Sequence, residues 1–240
     1  MIGTFLNASG IVAGGIAGLA QKTPLSAAHQ NSAKAALGAF TAFFGLRLAW
    51  ISLNGPFLSI LKQLGIVLAA LVAGKMAGRL LHLQKASNRL GQFARGRINA
   101  STPGDRDRFT SGFLTCSALF CAAPLGILGA VHDGLSGYYF PLAVKAAMDG
   151  LAAMGFVSVF GWGVALSAVP VLVFQGTLTL FCERFLAPFL EARQLVDPVN
   201  ATGGLLIVCI SLLIFDIRKI ELTDYLPSLV FAPLLAWWLR

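Results

Sequence analysis

Long apolar runs recur along this chain, separated by short polar interruptions. A helix needs about 20 mostly apolar residues to cross a bilayer. Runs of that order extend from Gly3 to Ala20, Ala33 to Leu53, Phe57 to Ala77, Phe109 to Val131, Tyr138 to Phe160, Trp162 to Phe181, Ala201 to Phe215 and Tyr225 to Leu239. The pattern predicts an all-α membrane protein of about eight transmembrane helices. The last two runs are short, and only the turn around "GWG" separates the fifth from the sixth.

One polar stretch has a helical pattern of its own. In "KMAGRLLHLQKASNRLGQFARGR", Met76, Leu80, Leu83, Leu90 and Phe93 recur at roughly helical spacing among basic residues. That predicts an amphipathic helix lying on the membrane surface. "INASTPGDRD" then reads as a linker. The expected organisation is one membrane domain: a first unit at about 1–77, the amphipathic segment and linker at about 78–108, a central helix pair at about 109–160 and a second unit at about 161–240.

Composition sharpens this reading. The chain is 57% hydrophobic and 12% charged, where a soluble domain carries about 25% charged residues. No basic residue precedes the first apolar run, so that run reads as a retained span rather than a cleaved signal. The net charge of +8 is concentrated, with eight of the 18 Lys and Arg lying between Lys75 and Arg108. Basic loops set the orientation of inner-membrane proteins, and the charge needs no nucleic-acid partner.

Orientation follows from the loops. Eight crossings put the segments at 21–34, 75–108 and 216–224 on one side. They carry Lys22, Lys34, Lys75, Arg79, Lys85, Arg89, Arg95, Arg97, Arg106, Arg108, Arg218 and Lys219, against Arg47, Lys62, Arg184, Arg193 and Arg240 opposite. The positive-inside rule then makes the basic side cytoplasmic and places both termini outside a bacterial inner membrane. Trp50, Trp237 and Trp238 fall near span ends, where interfacial aromatics belong. The lipid bilayer is the expected partner, and a homo-oligomer is compatible with the sequence.

Two stretches echo each other. "GTFLNASGIVAGGIAGL" and "GVALSAVPVLVFQGTLTL" share a small polar residue (Asn7, Ser167), then Ala8 and Ala168, then a helix breaker (Gly10, Pro170), and later Gly15 and Gly176. "KAALGAFTAFFGL" resembles "NATGGLLIVCISL", with Gly38 against Gly203, and a third apolar segment closes each unit. The second unit starts five crossings after the first, an odd number, so the two would be inverted. Inverted repeats with interrupted helices are a common plan of secondary transporters. The plainer reading makes Gly10, Gly14 and Gly18 a small-residue packing face and Pro170 an ordinary kink.

The polar residues inside the spans are few. Lys145 and Asp149 lie one helical turn apart in "PLAVKAAMDGLAAMGF". A charge at the bilayer centre costs roughly 2.5–3.5 kcal/mol on insertion scales, so such residues are candidates for function. Asp149 is the expected carboxylate of a binding or coupling site for a small ion or solute, with Lys145 its counter-charge. Asn7, Ser167, Gln175, Asn200 and Thr202 would add neutral groups at the breaks. In the competing reading the chain is a scaffold or assembly protein, and the pair only locks helices together.

Other chemistries find no support. The four cysteines, Cys116, Cys121, Cys182 and Cys209, have no metal-ligand spacing, and His29, His82 and His132 are scattered. There is no HExxH helix, no GxSxG elbow and no nucleotide-cradling loop. No metal, cofactor or catalytic activity is expected.

"TCSALFCAAPLGILGAVHDGLSG", "KAAMDGLAAMGFVSVFGWGVALSAVPVLVFQGTLTL" and "ATGGLLIVCISLLIFDIRKIELTDYLPSLVFAPLL" together resemble the bacterial inner-membrane family known as domain of unknown function 554, the YqgA/YdfK-like proteins. The opening "GTFLNASGIVAGGIAGL" looks like that family's start. The resemblance puts the family's Lys-Asp-Gly element on Lys145, Asp149 and Gly150, and its proline-glutamine-glycine stretch on Pro170, Gln175 and Gly176. It implies a polytopic membrane fold and hardly any function, because the family, often labelled as transport proteins, is itself uncharacterised. The stretch around "GKMAGRLLHL" departs from the family, which is more acidic there.

Overall fold

A computed structural model describes residues 1–21, 26–100 and 108–239. Lys22, Arg106, Arg240 and most of the expected linker lie outside them. Among the described residues every regular element is helical. The helices are α1 (Ile2–Ala20), α2 (Ala27–Ile51), α3 (Phe57–Leu80), α4 (Leu83–Ala100), α5 (Arg108–Ala122), α6 (Pro124–Ser136), α7 (Phe140–Phe160), α8 (Gly163–Leu166), α9 (Ala168–Phe181), α10 (Ala187–Glu191), α11 (Val196–Ile214) and α12 (Ser228–Trp238). A widened helical turn at Cys182–Leu186 joins α9 to α10.

Six helical stretches are long and apolar enough to cross a membrane, counting Gly163–Glu191 as one. A seventh crossing is the pair α5 and α6, bent by 59° at a short break. Pro124 causes the break. It starts α6, where the missing amide hydrogen does no harm, but it cannot continue α5. Along α7 the pair keeps one direction: Gly112 meets Phe160, Gly126 meets Lys145 and Gly129 meets Leu142. It therefore traverses the protein as a single broken crossing. The expected run from Phe109 to Val131 is corrected twice, because it is interrupted and because it continues to Ser136. The count of eight is not reached by length either, since α12 spans only 11 residues.

Glycine governs the tightest contacts. Gly10, Gly14 and Gly18 lie on one face of α1, each against the main chain of α7. A Cβ there would stand 2.5 Å from the Ala146 carbonyl oxygen, 2.0 Å from that of Gly150 and 2.5 Å from that of Met154. With no side chain in the way, the two parallel helices touch backbone to backbone. This corrects the expected break at Gly10: α1 runs through it without interruption. Pro170 sits in the first turn of α9, and in the turn before it an irregular step at Ser167 separates α8 from α9, where the proline has no amide hydrogen to give the Leu166 carbonyl.

The contacts of α2 with α11, α3 with α12 and α1 with α9 run antiparallel. Gly45 and Ala49 of α2 both meet Gly204 of α11, and Gly38 meets Phe215. Gly74 and Gly78 of α3 meet Ser228 and Asp224 beside α12. On α1, Gly15 packs against Ala165 while Thr4 bonds to Thr179 of α9.

The expected amphipathic helix is α4, starting after a turn at His82 with φ 56°. Met76 and Leu80 belong instead to the end of α3. Asp224 is buried and accepts the main-chain Gln84 amide of α4 at 2.8 Å. Lys34 pairs with Asp216 and Arg79 with Glu221 at 3.6 Å, so the three basic loops gather at one end. Large apolar side chains such as Phe43, Leu68, Val72, Val173 and Val230 are exposed around the outside. Water would not tolerate so broad an apolar belt, but lipid does.

Candidate functional site

The close approach of α1 and α7 sets Asn7 one turn from Gly10, beside the charged pair on α7. Lys145 and Asp149 form an ion pair within α7, with side chains 2% and 10% exposed. Those fractions exclude the bulk-water screening that makes surface pairs weak. Asn7 donates through Nδ2 to Gln175 Oε1 of α9 at 3.1 Å, and both residues are wholly buried. The Asn7 amide also lies against the Asp149 carboxylate.

The break between α5 and α6 closes the cluster. Phe120, in the last turn of α5, presents its ring 5.9 Å from Lys145 Nζ. Gly126, in the first turn of α6, leaves the space into which the Lys145 stem and Gln175 Nε2 converge. The end of α5 and the start of α6 thus both lie beside the Lys145 side chain. Four crossings, one of them broken, meet at one polar point in an apolar core. Two atoms there have no partner among the described residues: Asn7 Oδ1 and Gln175 Nε2. A buried polar atom left unpaired costs about 1–3 kcal/mol, so this point is built for more than packing.

The other expected site residues lie apart from it. Ser167 bonds to the Val164 carbonyl at 2.6 Å and Thr202 to the Pro198 carbonyl at 2.7 Å, each inside its own helical stretch. Asn200 Oδ1 accepts from His132 Nδ1 at 3.0 Å. Gly10 and Pro170 flank the cluster only through the helices that carry them.

A second polar group lies on α6. His132 and Asp133 are both buried, although the sequence pattern ended the span just before them. The Asp133 carboxylate accepts the Gly3 amide of α1 at 3.1 Å and pairs with the amino terminus at 3.2 Å. Thr4 and Thr179 share a bond of 3.2 Å, and Thr179 also donates to the Ala130 carbonyl. Asp149 is therefore not the only buried aspartate. The two carboxylates hold different partners and do not share a site. The signal for both residues was their position just over two turns beyond Pro124, in the helix that it restarts.

A cleft of about 680 Å³ lies between α1, α2 and α7 at the basic end, lined by Gln21, Lys34 and Leu37 and by Met148 and Ala152 of α7; Asn7, Lys145, Asp149 and Gln175 do not line it. The four cysteines are free thiols. Among the described residues, no group of three or more His, Cys, Asp or Glu could hold a metal ion.

The profile of the family described as "Protein of unknown function (DUF554)" matches residues 2–237. The chain is 27% identical over 234 residues to the "Uncharacterized membrane protein YdfK" of Bacillus subtilis, covering 97% of this chain and 94% of that protein. It is 29% identical over 245 residues to the "Uncharacterized protein YqgA" of Escherichia coli K12, covering 99% and 97%. No solved structure matches. An all-helical membrane protein whose whole length aligns with these relatives, it belongs to the DUF554 family.

Proposed function

We propose that the protein is a small secondary transporter or channel for a small ion or solute, with Asp149 as its binding or coupling carboxylate. The observation that carries this reading is the buried Lys145–Asp149 pair beside two unpartnered amide atoms, at the break of a crossing helix. Discontinuous helices in transporters supply free helix ends and unsatisfied groups near the bilayer midplane for a similar purpose.

The inverted repeat belongs to the same proposal. The matched helices, α1 with α9, α2 with α11 and α3 with α12, pack against one another in antiparallel pairs. An axis in the membrane plane relating two inverted units predicts that arrangement. The segment from Leu222 to Trp238 runs along α3 and serves as the eighth crossing. The basic loops lie in the cytoplasm and both termini outside, in the inner membrane. The protein is not an enzyme.

A proteoliposome survey tests this reading. Purified protein is given a panel of ions and small solutes, with Asp149→Asn alongside. Flux that Asp149→Asn abolishes is the expected result. A full panel with no Asp149-dependent flux would end the proposal.

The scaffold reading has one observation in its favour: the pair is in direct contact and nearly sealed. It predicts that exchanging the two residues preserves function, since a lock works in either order. A binding site fails on exchange.

A further inference from the structure

α2 and α7 touch at one end and stand apart at the other. Away from the basic loops the Phe44 and Phe140 rings stack at 4.5 Å, and the Tyr138 hydroxyl donates to the Phe44 carbonyl at 2.8 Å. Toward the basic end the two helices part and leave the cleft of about 680 Å³. Ligand sites typically enclose about 300–1,000 Å³. The charged pair on α7 and its amide neighbours do not line this cleft, so it is a separate feature.

Its walls change character with depth. Leu37 of α2 with Met148 and Leu151 of α7 make the inner part apolar. Gln21 at the end of α1, Lys34 of α2 and Ser158 of α7 stand at the mouth. Arg108, the first residue of α5, brings a second cation there. Its guanidinium donates to the carbonyls of Val159 and Ser158, both lining residues, at 2.8 and 3.0 Å. Gly155 lies between the two zones, and a Cβ built on it would meet nothing within 4 Å.

That gradient fits an amphiphile. The mouth is level with the basic loops, where lipid headgroups sit, and the inner part lies at the depth of acyl chains. Two cations at the mouth face one carboxylate, Asp216, which pairs with Lys34. Both members of that pair are largely exposed, so the contact is weak and a phosphate can share the ammonium. α4 adds the exposed Lys85, Arg89 and Arg95 at the same end, and its Ile98 reaches the cleft wall. The balance of charge around the mouth is therefore positive. Basic pockets between membrane helices on the cytoplasmic side take anionic lipid headgroups.

We propose that this cleft binds one anionic phospholipid from the leaflet at the basic end. The phosphate lies between Lys34 and Arg108, and an acyl chain runs past Gly155 to Leu37 and Met148. In the orientation proposed above that leaflet is the cytoplasmic one. The site does not depend on the Lys145–Asp149 pair or on transport through it.

The test measures lipid retained by the purified, delipidated protein in a neutral maltoside detergent, counted by native mass spectrometry. Phosphatidylglycerol and phosphatidylcholine with the same acyl chains are offered in equal amounts, so that only the headgroup differs. One phosphatidylglycerol per protein molecule should stay bound in preference to phosphatidylcholine. Lys34→Gln should weaken its retention about fivefold, the worth of one basic group beside an anionic lipid surface. Gly155→Leu should abolish retention by filling the space of the acyl chain, and should melt with wild type because nothing stands in its way. Wild-type selectivity and Lys34→Gln decide the matter should Gly155→Leu melt early. Lys62→Gln on α3, which does not line the cleft, should leave retention unchanged. Equal retention of the two lipids, or retention of neither, overturns the proposal. Phosphatidylglycerol that binds Gly155→Leu as firmly as wild type sits on the exposed charges of α4 instead, and overturns it too.

Discussion

Asn7 and Gln175 stand 168 residues apart in sequence yet share a 3.1 Å hydrogen bond between wholly buried side chains. The bond joins α1 to α9, the leading helices of the two proposed units. It also holds both amides beside Lys145 and Asp149, so a contact between the units is at the same time part of the site. Interhelical bonds of this kind average about 0.6 kcal/mol in membranes. A residue whose bond is structural should lose about that much when replaced, and no more.

Asn7→Ala and Gln175→Ala are accordingly expected to lower stability by about 0.6 kcal/mol each, and the double variant by less than the sum. Asp149-dependent flux should fall far more, by roughly tenfold or greater, the equivalent of 1.4 kcal/mol on the barrier. Melting in detergent gives the first quantity and proteoliposome flux the second. Equal, small losses in both would assign the amides to packing.

The charged pair gives a sharper separation. Removing one partner of a buried pair strands the other and destabilises by about 3–5 kcal/mol, whereas replacing both with apolar residues is often neutral. Lys145→Met should therefore melt well below wild type. The double variant Lys145→Met with Asp149→Leu should recover most of the stability and carry no flux. A double variant that still transports would detach the pair from function.

The glycine face of α1 sets how near α7 can come. A Cβ at Gly14 would lie 2.0 Å from the Gly150 carbonyl oxygen, a main-chain atom with no room to retreat. Gly14→Ala should part the helices and lose several kcal/mol, in the range of an overpacked core or more. Gly65→Ala on α3, where nothing lies within 4 Å, should stay within about 1 kcal/mol of wild type. Thermal melts of the two variants side by side decide whether the α1–α7 contact is as tight as described.

Lys145 and Asp149 could be read from the sequence because two charges in an apolar run have few explanations. Asn7 and Gln175 were visible only as members of a longer list. Nothing local separates an amide that meets an ion pair from Ser167 or Thr202, which bond to their own helices. Gly10 was misread because a missing side chain serves equally well for a break and for a close approach, and only the neighbour decides. The true interruption, at Pro124, was hidden inside an apolar run whose length alone satisfied the rule for a straight span. That run also ended too early, which hid His132 and Asp133. Sequence gives the helices and their polarity well here, since both follow from local pattern, but the meeting point of four helices depends on long-range packing.

Orientation is open to a simple check. The basic end, where α4 lies and Lys34 meets Asp216, is expected in the cytoplasm with the C-terminus outside. A C-terminal alkaline phosphatase fusion should be active and a fluorescent-protein fusion dark. The reverse pattern would invert the topology.

The central claim is that water and a hydrophilic solute reach the point between α1, α7 and α9. Asn7→Cys, in a background with the four native cysteines replaced by alanine, places a small neutral thiol there without breaking the ion pair. Small, charged, membrane-impermeant thiol reagents should modify it in intact membranes, and a transported solute should slow the reaction. A thiol that stays unmodified from both sides, while a lipid-soluble reagent reaches it, would show a dry lock and contradict the account.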